Sequence, residues 1–206
     1  MHGHGRWIRW ACCASCKRWY AKNGPGPAGE TWREAPPPYA IVKIETMTPA
    51  DWPAARAIYR EGIASGQATF ETEAPSWEDW DAGHHPFARL VARADGIIVG
   101  WAALSPVSRR SCYAGVAEVS VYIAAGERGR RVGRQLLQTL IAESERHGIW
   151  TLQGATFAEN EASLRLQTSC GFREIGRRER IAQLQGVWRD TILMERRSPT
   201  VGVAAP

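Results

Sequence analysis

The stretch VAEVSVYIAAGERGRRVGRQLLQTLIAESERHG, residues 116–148, decides the fold of this chain. Its apolar beginning predicts a strand over 116–123, and its later apolar residues recur at helical spacing up to Gly148. Between them lies a short loop, RGRRVG at 128–133. A strand that enters a helix through such a loop presents free backbone N–H groups, the positive end of the helix dipole and guanidinium groups together. The stretch therefore suits a pyrophosphate, although its two glycines also fit an ordinary tight turn.

The loop differs from two well-known phosphate-binding motifs. It lacks the Gly-Lys-Ser/Thr ending of the P-loop, and it does not have the G-x-G-x-x-G spacing of dinucleotide-binding proteins. The sequence therefore favours neither a nucleoside triphosphatase nor a Rossmann dehydrogenase.

Strand and helix signals alternate on both sides of this stretch. Thr48-Pro49-Ala50-Asp51 combines an N-cap, a proline at the first helical position and an acid in the first turn, and Asp95-Gly96 marks a hairpin. The predicted strands begin at Ile41 and lie near 87–94, 97–104, 116–123, 151–157, 172–182 and 187–195. The predicted helices cover about 49–64, a short segment after Ser76, the segment from 132 to Gly148 and about 160–169. This order predicts a layered α/β (α+β) fold, with a mixed, partly parallel central sheet flanked by helices.

Composition and charge exclude several classes of protein. The 206 residues are 44% apolar and 23% charged, and no apolar run is long enough to span a bilayer, which excludes collagenous, fully disordered and transmembrane chains. Six bases and two acids in residues 1–40 account for four of the five net positive charges. The rest of the chain therefore has no strong field for polyanions, and neither nucleic acid nor a membrane is predicted as a partner.

The first forty residues are predicted to form an irregular tail. Their tryptophans follow no period, and GPGP at 24–27 and PPP at 36–38 indicate a stiff linker. Cys12, Cys13 and Cys16 could hold zinc, but the second ligand pair of a standard site is missing, so no metal is predicted. We expect a tail over 1–40, one domain over 41–197 and a C-terminal tail over 198–206. The five cysteines form no even framework, which favours a cytoplasmic location.

Blocks spread over about 41–197 carry a family resemblance. They are ATFET (68–72), GWAALSP (100–106), RSCY (110–113), AEVSVYI (117–123), RGRRVG (128–133), NEASLR (160–165), CGF (170–172) and GVWRD (186–190). Each is weak alone, but in this order and at this spacing the set resembles the GNAT superfamily of acetyl-CoA-dependent N-acetyltransferases. Within it, the chain looks like the phosphinothricin acetyltransferase branch.

The resemblance implies acetyl-CoA as co-substrate. The strand backbone would pair with the pantetheine arm, the following loop would hold the pyrophosphate, and a residue after the next strand would contact the cofactor as well. The matching positions are Val121, Tyr122, Ile123, Gly129, Arg130, Arg131, Val132, Gly133, Arg134 and Asn160. Arg131 departs from the family pattern, which has glycine there; arginine fits a left-handed backbone poorly but can add a contact to phosphate.

Two positions are implied to be catalytic. A primary amine is protonated at neutral pH, and Glu118, a carboxylate in an otherwise apolar strand, is suited to remove that proton, as the matching glutamate does in the family. The second position is Gln167, where relatives have histidine and the wider superfamily tyrosine. An amide cannot donate a proton to the departing thiolate, but a thiol with a pKa of about 8.5 leaves tolerably without an acid. The resemblance further implies that Phe70, Arg110 and Tyr113 bind the acceptor, with Ser108 where relatives have a base and Arg109 as a substitute.

The implied function is transfer of acetyl to the α-amine of a small acidic amino acid or analogue, such as phosphinothricin, methionine sulfoximine or the arsenical analogue of phosphinothricin. Resistance or detoxification would follow, and a homodimer is common in the family. The alternatives are a GNAT enzyme acting on peptide or protein N-termini, a non-catalytic acyl-CoA-binding protein, and nucleic-acid binding by the tail.

Overall fold

Seven strands form one mixed sheet in the part of the chain that the computed structural model describes, residues 42–203. The strands are β1 Val42–Thr46, β2 Leu90–Ala94, β3 Ile97–Pro106, β4 Val116–Ile123, β5 Thr151–Phe157, β6 Arg173–Leu184 and β7 Val187–Arg197. The helices are α1 Trp52–Ala64, α2 Trp77–Gly83, α3 Val132–Arg146 and α4 Glu161–Ser169. The predicted layered α/β fold is confirmed. The predicted tail over 1–40, with its cysteine cluster, lies outside the described residues.

The strand order places a single parallel pair in the middle of the sheet. The order is β1-β2-β3-β4-β5-β7-β6, and all neighbours are antiparallel except β4 and β5. Helix α3 makes the crossover from β4 to β5. The carboxyl ends of these two strands therefore lie at the same edge, where ligands bind in open α/β sheets.

Two apolar clusters cover opposite faces of the sheet, as the alternation of side chains along strands requires. On one face, α3 buries Leu136, Leu137 and Leu140 against a cluster that includes Ala102, Leu104 and Ala117. On the other face, α1 and α2 bury a cluster rich in aromatic side chains, namely Trp52, Tyr59, Trp80 and Trp101. Within residues 42–203, no helix is both long and apolar enough to cross a membrane.

Local sequence signals explain where several elements begin and end. Asp51 accepts hydrogen bonds from the backbone N–H (2.8 Å) and the hydroxyl (2.9 Å) of Thr48, so the predicted helix start is present, with a 3-10 turn over Pro49–Asp51 before α1. Asp95 and Gly96 both have positive φ, as the tight hairpin between β2 and β3 requires. Strand β2 starts later than predicted because Ala88, with φ 54°, interrupts the extended backbone.

The beginning of the predicted C-terminal tail packs against the domain. The backbone N–H of Ser198 donates to the Trp150 carbonyl at 2.8 Å, and the Arg197 guanidinium donates to the carbonyls of Val201 and Gly202. Residues 198–202 are thus held beside the start of β5.

Candidate active site

A wedge-shaped opening separates β4 from β5. The two strands pair only at Val116–Thr151, Ala117–Leu152 and Glu118–Gln153, although β4 continues to Ile123 and β5 to Phe157. On their other edges, residues 117–123 of β4 pair with β3 and all of β5 pairs with β7. Backbone groups of residues 119–123 that face the opening therefore have no strand partner among residues 42–203. An extended ligand with amide groups can pair with such an edge. Val121, Tyr122 and Ile123 lie on it.

The loop after β4 borders this opening at the carboxyl end of the strand. A 3-10 turn over Ala125–Glu127 leads to Gly129, which has φ 78°, and α3 begins at Val132. Val132 is buried and anchors the helix, whereas the four arginines of the segment are exposed: Arg128, Arg130, Arg131 and Arg134. The first intrahelical bond in this turn is from the Gln135 N–H to the Arg131 carbonyl. The N–H groups of residues 132–134 thus point out of the helix end, where an anion can accept them.

Gly133 allows a close approach between α3 and α4. A Cβ atom at this position would lie 3.2 Å from Cδ2 of Leu166 in α4 and 3.6 Å from Cγ1 of Ile123. A larger residue would push the two helices apart at the mouth of the opening.

Arg131 adopts the left-handed conformation that its position in the loop demands. Its φ of 64° and ψ of 6° lie in a region that costs residues other than glycine about 1 kcal/mol or more. We therefore predict that Arg131→Gly raises the free energy of unfolding by about 1 kcal/mol in urea titrations. The matched control is Arg128→Gly, since Arg128 is exposed in the same loop with φ −64° and should gain nothing. Equal effects of the two changes would contradict the strain at Arg131.

Glu118 stands at the apex of the opening, where the β4–β5 pairing stops. The residue keeps solvent contact, but surrounding protein atoms remove part of the hydration of its carboxylate. This desolvation raises the pKa of Glu118, while the charge of Arg178 and the backbone N–H of Ala155 oppose the rise. No ion pair involves Glu118 within residues 42–203, so its carboxylate is not consumed by a structural salt bridge. A carboxylate whose pKa is moved toward neutrality is better matched to taking a proton from an amine.

Gln167 does not lie beside Glu118. It is 5% exposed, and its Nε2 donates to Thr156 Oγ1 at 2.7 Å and to Ser163 Oγ at 3.3 Å. Its Oε1 occupies the space that a Cβ on Gly154 would need. Gly154 and Thr156 lie on the face of β5 opposite to Gln153, the partner of Glu118. The amide is therefore packed between α4 and β5, on the other side of the sheet.

Asn160 is held on both sides by the chain itself. Its Oδ1 accepts from the Ser163 N–H at 3.1 Å and caps α4, while its Nδ2 donates to the Gln67 carbonyl at 3.0 Å. It joins the loop before Phe70 to the carboxyl end of β5.

The predicted acceptor residues occupy two separate loops. Phe70 packs edge-on against Phe157 of β5, with 4.7 Å between ring centroids, on the face of the sheet that carries Glu118. Arg110 and Tyr113 lie in the loop between β3 and β4, where the Arg110 guanidinium is 5.9 Å from the Tyr113 ring centroid. Both residues are exposed, and within the described segment Arg110 makes no ion pair. Arg110 is thus accessible to an anionic ligand.

Sequence reasoning missed two features of this face. The ring centroids of Tyr59 and Tyr122 lie 4.8 Å apart, and burial raises the pKa of both phenols, while the neighbouring Thr69 opposes the rise. This cluster forms the wall beside the opening. The second feature is Arg178, whose charge acts on Glu118 from β6. No motif indicated either one, because both depend on which distant residues share a face.

Comparison with known proteins gives a family and several relatives. The family model described as "Acetyltransferase (GNAT) family" matches residues 50–172. The chain is 38% identical over 163 residues to the phosphinothricin N-acetyltransferase of Alcaligenes faecalis, covering 74% of this chain and 81% of that protein. The crystal structure of ribosomal-protein-alanine N-acetyltransferase from Brucella melitensis matches with a TM-score of 0.71 and 31% identity, over 76% of this chain and 99% of that one. A GNAT superfamily phosphinothricin acetyltransferase from Sinorhizobium meliloti, in complex with acetyl-CoA, matches with a TM-score of 0.72 and 25% identity, over 80% and 92% of the two chains.

Proposed function

The chain belongs to the GNAT acetyltransferase family, and from this premise we propose that it acetylates the α-amine of a small acidic amino acid or analogue. Phosphinothricin, methionine sulfoximine and the arsenical analogue of phosphinothricin are the first candidates, and acetylation would give resistance or detoxification. The observation that carries this proposal is the carboxylate of Glu118 at the apex of the opening between β4 and β5. A base there faces an amine at the point where an extended donor would end.

Acetyl-CoA is the acetyl donor, and the residues present fit it. The edge of residues 121–123 that faces β5 has no strand partner among residues 42–203, and it suits the amide groups of the pantetheine arm. The first turn of α3, with Gly129, Arg130, Arg131 and Arg134 before and within it, suits the pyrophosphate. When bound, acetyl-CoA supplies an activated acyl group whose thiolate is a tolerable leaving group. Within residues 42–203, no group of three or more metal-ligating side chains is arranged to hold an ion.

Glu118 performs the proton transfer in this mechanism. Its carboxylate accepts a proton from the acceptor's ammonium group, and the free amine then attacks the thioester carbonyl carbon. The new C–N bond replaces the C–S bond, whose electron pair leaves with the thiolate. Glu118 releases its proton to solvent, the remaining excess proton on the nitrogen also leaves to solvent, and the thiolate takes one proton from solvent. Gln167 supplies no proton, since an amide is not an acid at any useful pH, and its amide is engaged with Thr156. We assign it the task of fixing α4 against β5.

Arg110 and Tyr113 hold an anionic group of the acceptor in this proposal. We predict that Arg110→Ala raises KM for phosphinothricin about 10-fold or more, because a charge-assisted contact contributes about 1.5–3 kcal/mol. The assay measures coenzyme A thiol release with acetyl-CoA and each acceptor. Arg146→Ala, in the last turn of α3, is the control and should leave KM unchanged. An Arg109→Ala effect larger than that of Arg110→Ala would reassign the contact to the neighbouring residue.

A second candidate function is acetylation of a peptide or protein N-terminus. The match to a ribosomal-protein-alanine N-acetyltransferase favours it. Thiol release measured over a panel of amino acids, phosphinic analogues and peptides separates the two. Release with acidic amino acids that Arg110→Ala weakens supports the first function. Release confined to peptides, with Arg110→Ala neutral, overturns it.

The proposal also includes the location and assembly of the protein. Cys112 and Cys170 are free thiols, which agrees with a cytoplasmic enzyme. The β6–β7 hairpin exposes Ile175, Ile181, Val187 and Trp188, the last 55% exposed, and a homodimer would cover apolar surface of this kind. Sedimentation of the full chain as a monomer at micromolar concentration would remove the dimer from the proposal.

A further inference from the structure

We propose that Arg178, on the edge strand β6, binds the α-carboxylate of the acceptor and so presents the adjacent amine to Glu118. This inference rests on the proposed function and names a specificity determinant for the same site. Its basis is the register of the sheet, an unused guanidinium fork and a bulge that follows Arg178.

The strand register puts Arg178 and Glu118 on one face of the sheet. Arg178 pairs with Thr191 of β7, and Thr191 pairs with Phe157 of β5. Four residues earlier on β5, Gln153 pairs with Glu118. Paired residues, and residues separated by an even number along a strand, share a face. The positive charge of Arg178 acts to lower the pKa of Glu118, which agrees with this placement.

The guanidinium of Arg178 is oriented but not occupied. Its Nε donates to Thr191 Oγ1 at 3.2 Å, and Thr191 is only 2% exposed, so the anchor is fixed. Among residues 42–203, the two terminal nitrogens have no hydrogen-bond partner and no carboxylate within ion-pair distance. They form a planar fork that matches a carboxylate.

Arg189 lies on the same face and, unlike Arg178, has a guanidinium engaged in an ion pair and other structural contacts. It makes an ion pair with Glu159 at 2.6 Å, donates to the Gly66 carbonyl at 3.1 Å and lies over the Phe157 ring. Arg178 has none of these commitments. Within residues 42–203 it makes no ion pair, so its terminal nitrogens are available on the Glu118 side of this hairpin.

A bulge directly after Arg178 sets the direction of its strand. Residues 179–181 stand opposite Asp190 alone, because Arg178 pairs with Thr191 and Ala182 pairs with Arg189. Asp190 pins this bulge: it accepts from Arg177 at 2.5 Å and from the Arg180 N–H at 2.8 Å. Arg180 has φ 47°, a conformation that costs about 1–3 kcal/mol and is retained where the surroundings demand it. Bulges beside active sites commonly redirect a side chain.

The two opposite charges match the two charged groups of an α-amino acid. Arg178 and Glu118 are too far apart for an ion pair, yet close enough for one charge to act on the other. A molecule that carries an ammonium and a carboxylate on the same carbon can bridge that gap, with each group facing its opposite charge. The neighbours of Glu118 on β3 and β5, Ser105 and Gln153, are uncharged and do not compete.

Binding of the acceptor carboxylate to Arg178 also changes the pKa of Glu118. The positive charge of Arg178 lowers the pKa of Glu118 in the free enzyme. A substrate carboxylate bound to Arg178 cancels much of that charge, so the proton affinity of Glu118 rises when the amine must be deprotonated. Loss of the positive charge in a variant should raise the pKa of Glu118 in the free enzyme.

The test combines variants of the full chain with paired acceptors. The acceptors are phosphinothricin, methionine sulfone and the α-carboxamide of methionine sulfone, and the variants are Arg178→Gln and Arg178→Lys. The control is Arg146→Gln, because Arg146 is in an exposed pair with Glu143 in the last turn of α3, away from the bulge. We expect Arg178→Gln to raise KM about 10-fold for both free amino acids, to leave the carboxamide unchanged and to move the acidic limb of kcat/KM to higher pH. Arg178→Lys should recover part of the loss, and Thr191→Val should give a smaller loss.

Each other outcome has a defined meaning. If Arg178→Gln raises KM equally for the amino acid and the carboxamide, or for neither, the assignment of Arg178 is overturned. The proposed function still stands in that case, provided that the wild-type chain acetylates the free amino acids. A loss with phosphinothricin but not with methionine sulfone means that Arg178 contacts a side-chain anion, which also overturns it. If the wild-type chain releases no thiol with any free amino acid, the proposed function fails and this inference fails with it.

Discussion

Replacing Glu118 by glutamine should lower kcat/KM for the acceptor by about 10²- to 10⁴-fold, the range that a positioned general base contributes. Glutamine has nearly the same shape and cannot accept the proton, so the loss reports the chemistry and not the packing. The binding constant of acetyl-CoA, measured by calorimetry, should stay unchanged because the substitution leaves the backbone edge of β4 intact.

The pH dependence gives the same prediction an independent signature. Desolvation raises the pKa of Glu118, so kcat/KM should fall as pH drops through a value above the ordinary 4.5 of a glutamate. The base form exists above that pKa, and Glu118→Gln should abolish this limb. Glu174→Gln, on an exposed part of β6, is the control for charge alone. Unaltered turnover in Glu118→Gln would show that another group, or solvent, removes the proton.

Removing two arginines near the start of α3 should weaken the binding of acetyl-CoA but not that of a truncated donor without the pyrophosphate. We expect Arg130→Ala combined with Arg134→Ala to weaken acetyl-CoA binding about 100-fold, at roughly 10-fold for each charge-assisted phosphate contact. Acetyl-pantetheine has no pyrophosphate, so its KM, already high, should be the same for the double variant and the wild type. Donor saturation curves for the two thioesters provide the measurement.

The control for this comparison removes two arginines at the opposite end of the sheet. Arg146 pairs with Glu143 in the last turn of α3, and Arg173 pairs with Glu195 near the start of β5. Their double alanine variant should bind acetyl-CoA as the wild type does. A similar loss with both thioesters in the Arg130 and Arg134 variant would mean that the loop had lost its shape, and the pyrophosphate assignment would fail.

The elements around the opening could be predicted because local signals agree with tertiary structure there. The predicted strands over 116–123 and 151–157 coincide with β4 and β5. The apolar spacing in α3 coincides with its buried face, and Gly148 follows the helix with φ 79°. Arg131 was identified as a poor fit for a left-handed backbone, and its φ of 64° shows that the backbone is left-handed.

The remaining features depend on register, which local sequence does not encode. The separation of β4 from β5 after Glu118 arises because β5 stays paired to β7 while β4 stays paired to β3. The burial of Gln167 depends on the missing side chain of Gly154, a residue on another element. The approach of Arg178 to the Glu118 face depends on a bulge opposite Asp190, three strands away from β4. In each case, partners from distant parts of the chain set the position.

The most direct measurement is a crystal structure with a non-reactive thioether analogue of acetyl-CoA and phosphinothricin bound together. We predict that the pantetheine arm pairs with residues 121–123, that the pyrophosphate lies on the first turn of α3, and that the acceptor nitrogen is within hydrogen-bond distance of Glu118. An acyl group bound outside the opening between β4 and β5, or an acceptor amine on the Gln167 side of the sheet, would contradict the proposed site.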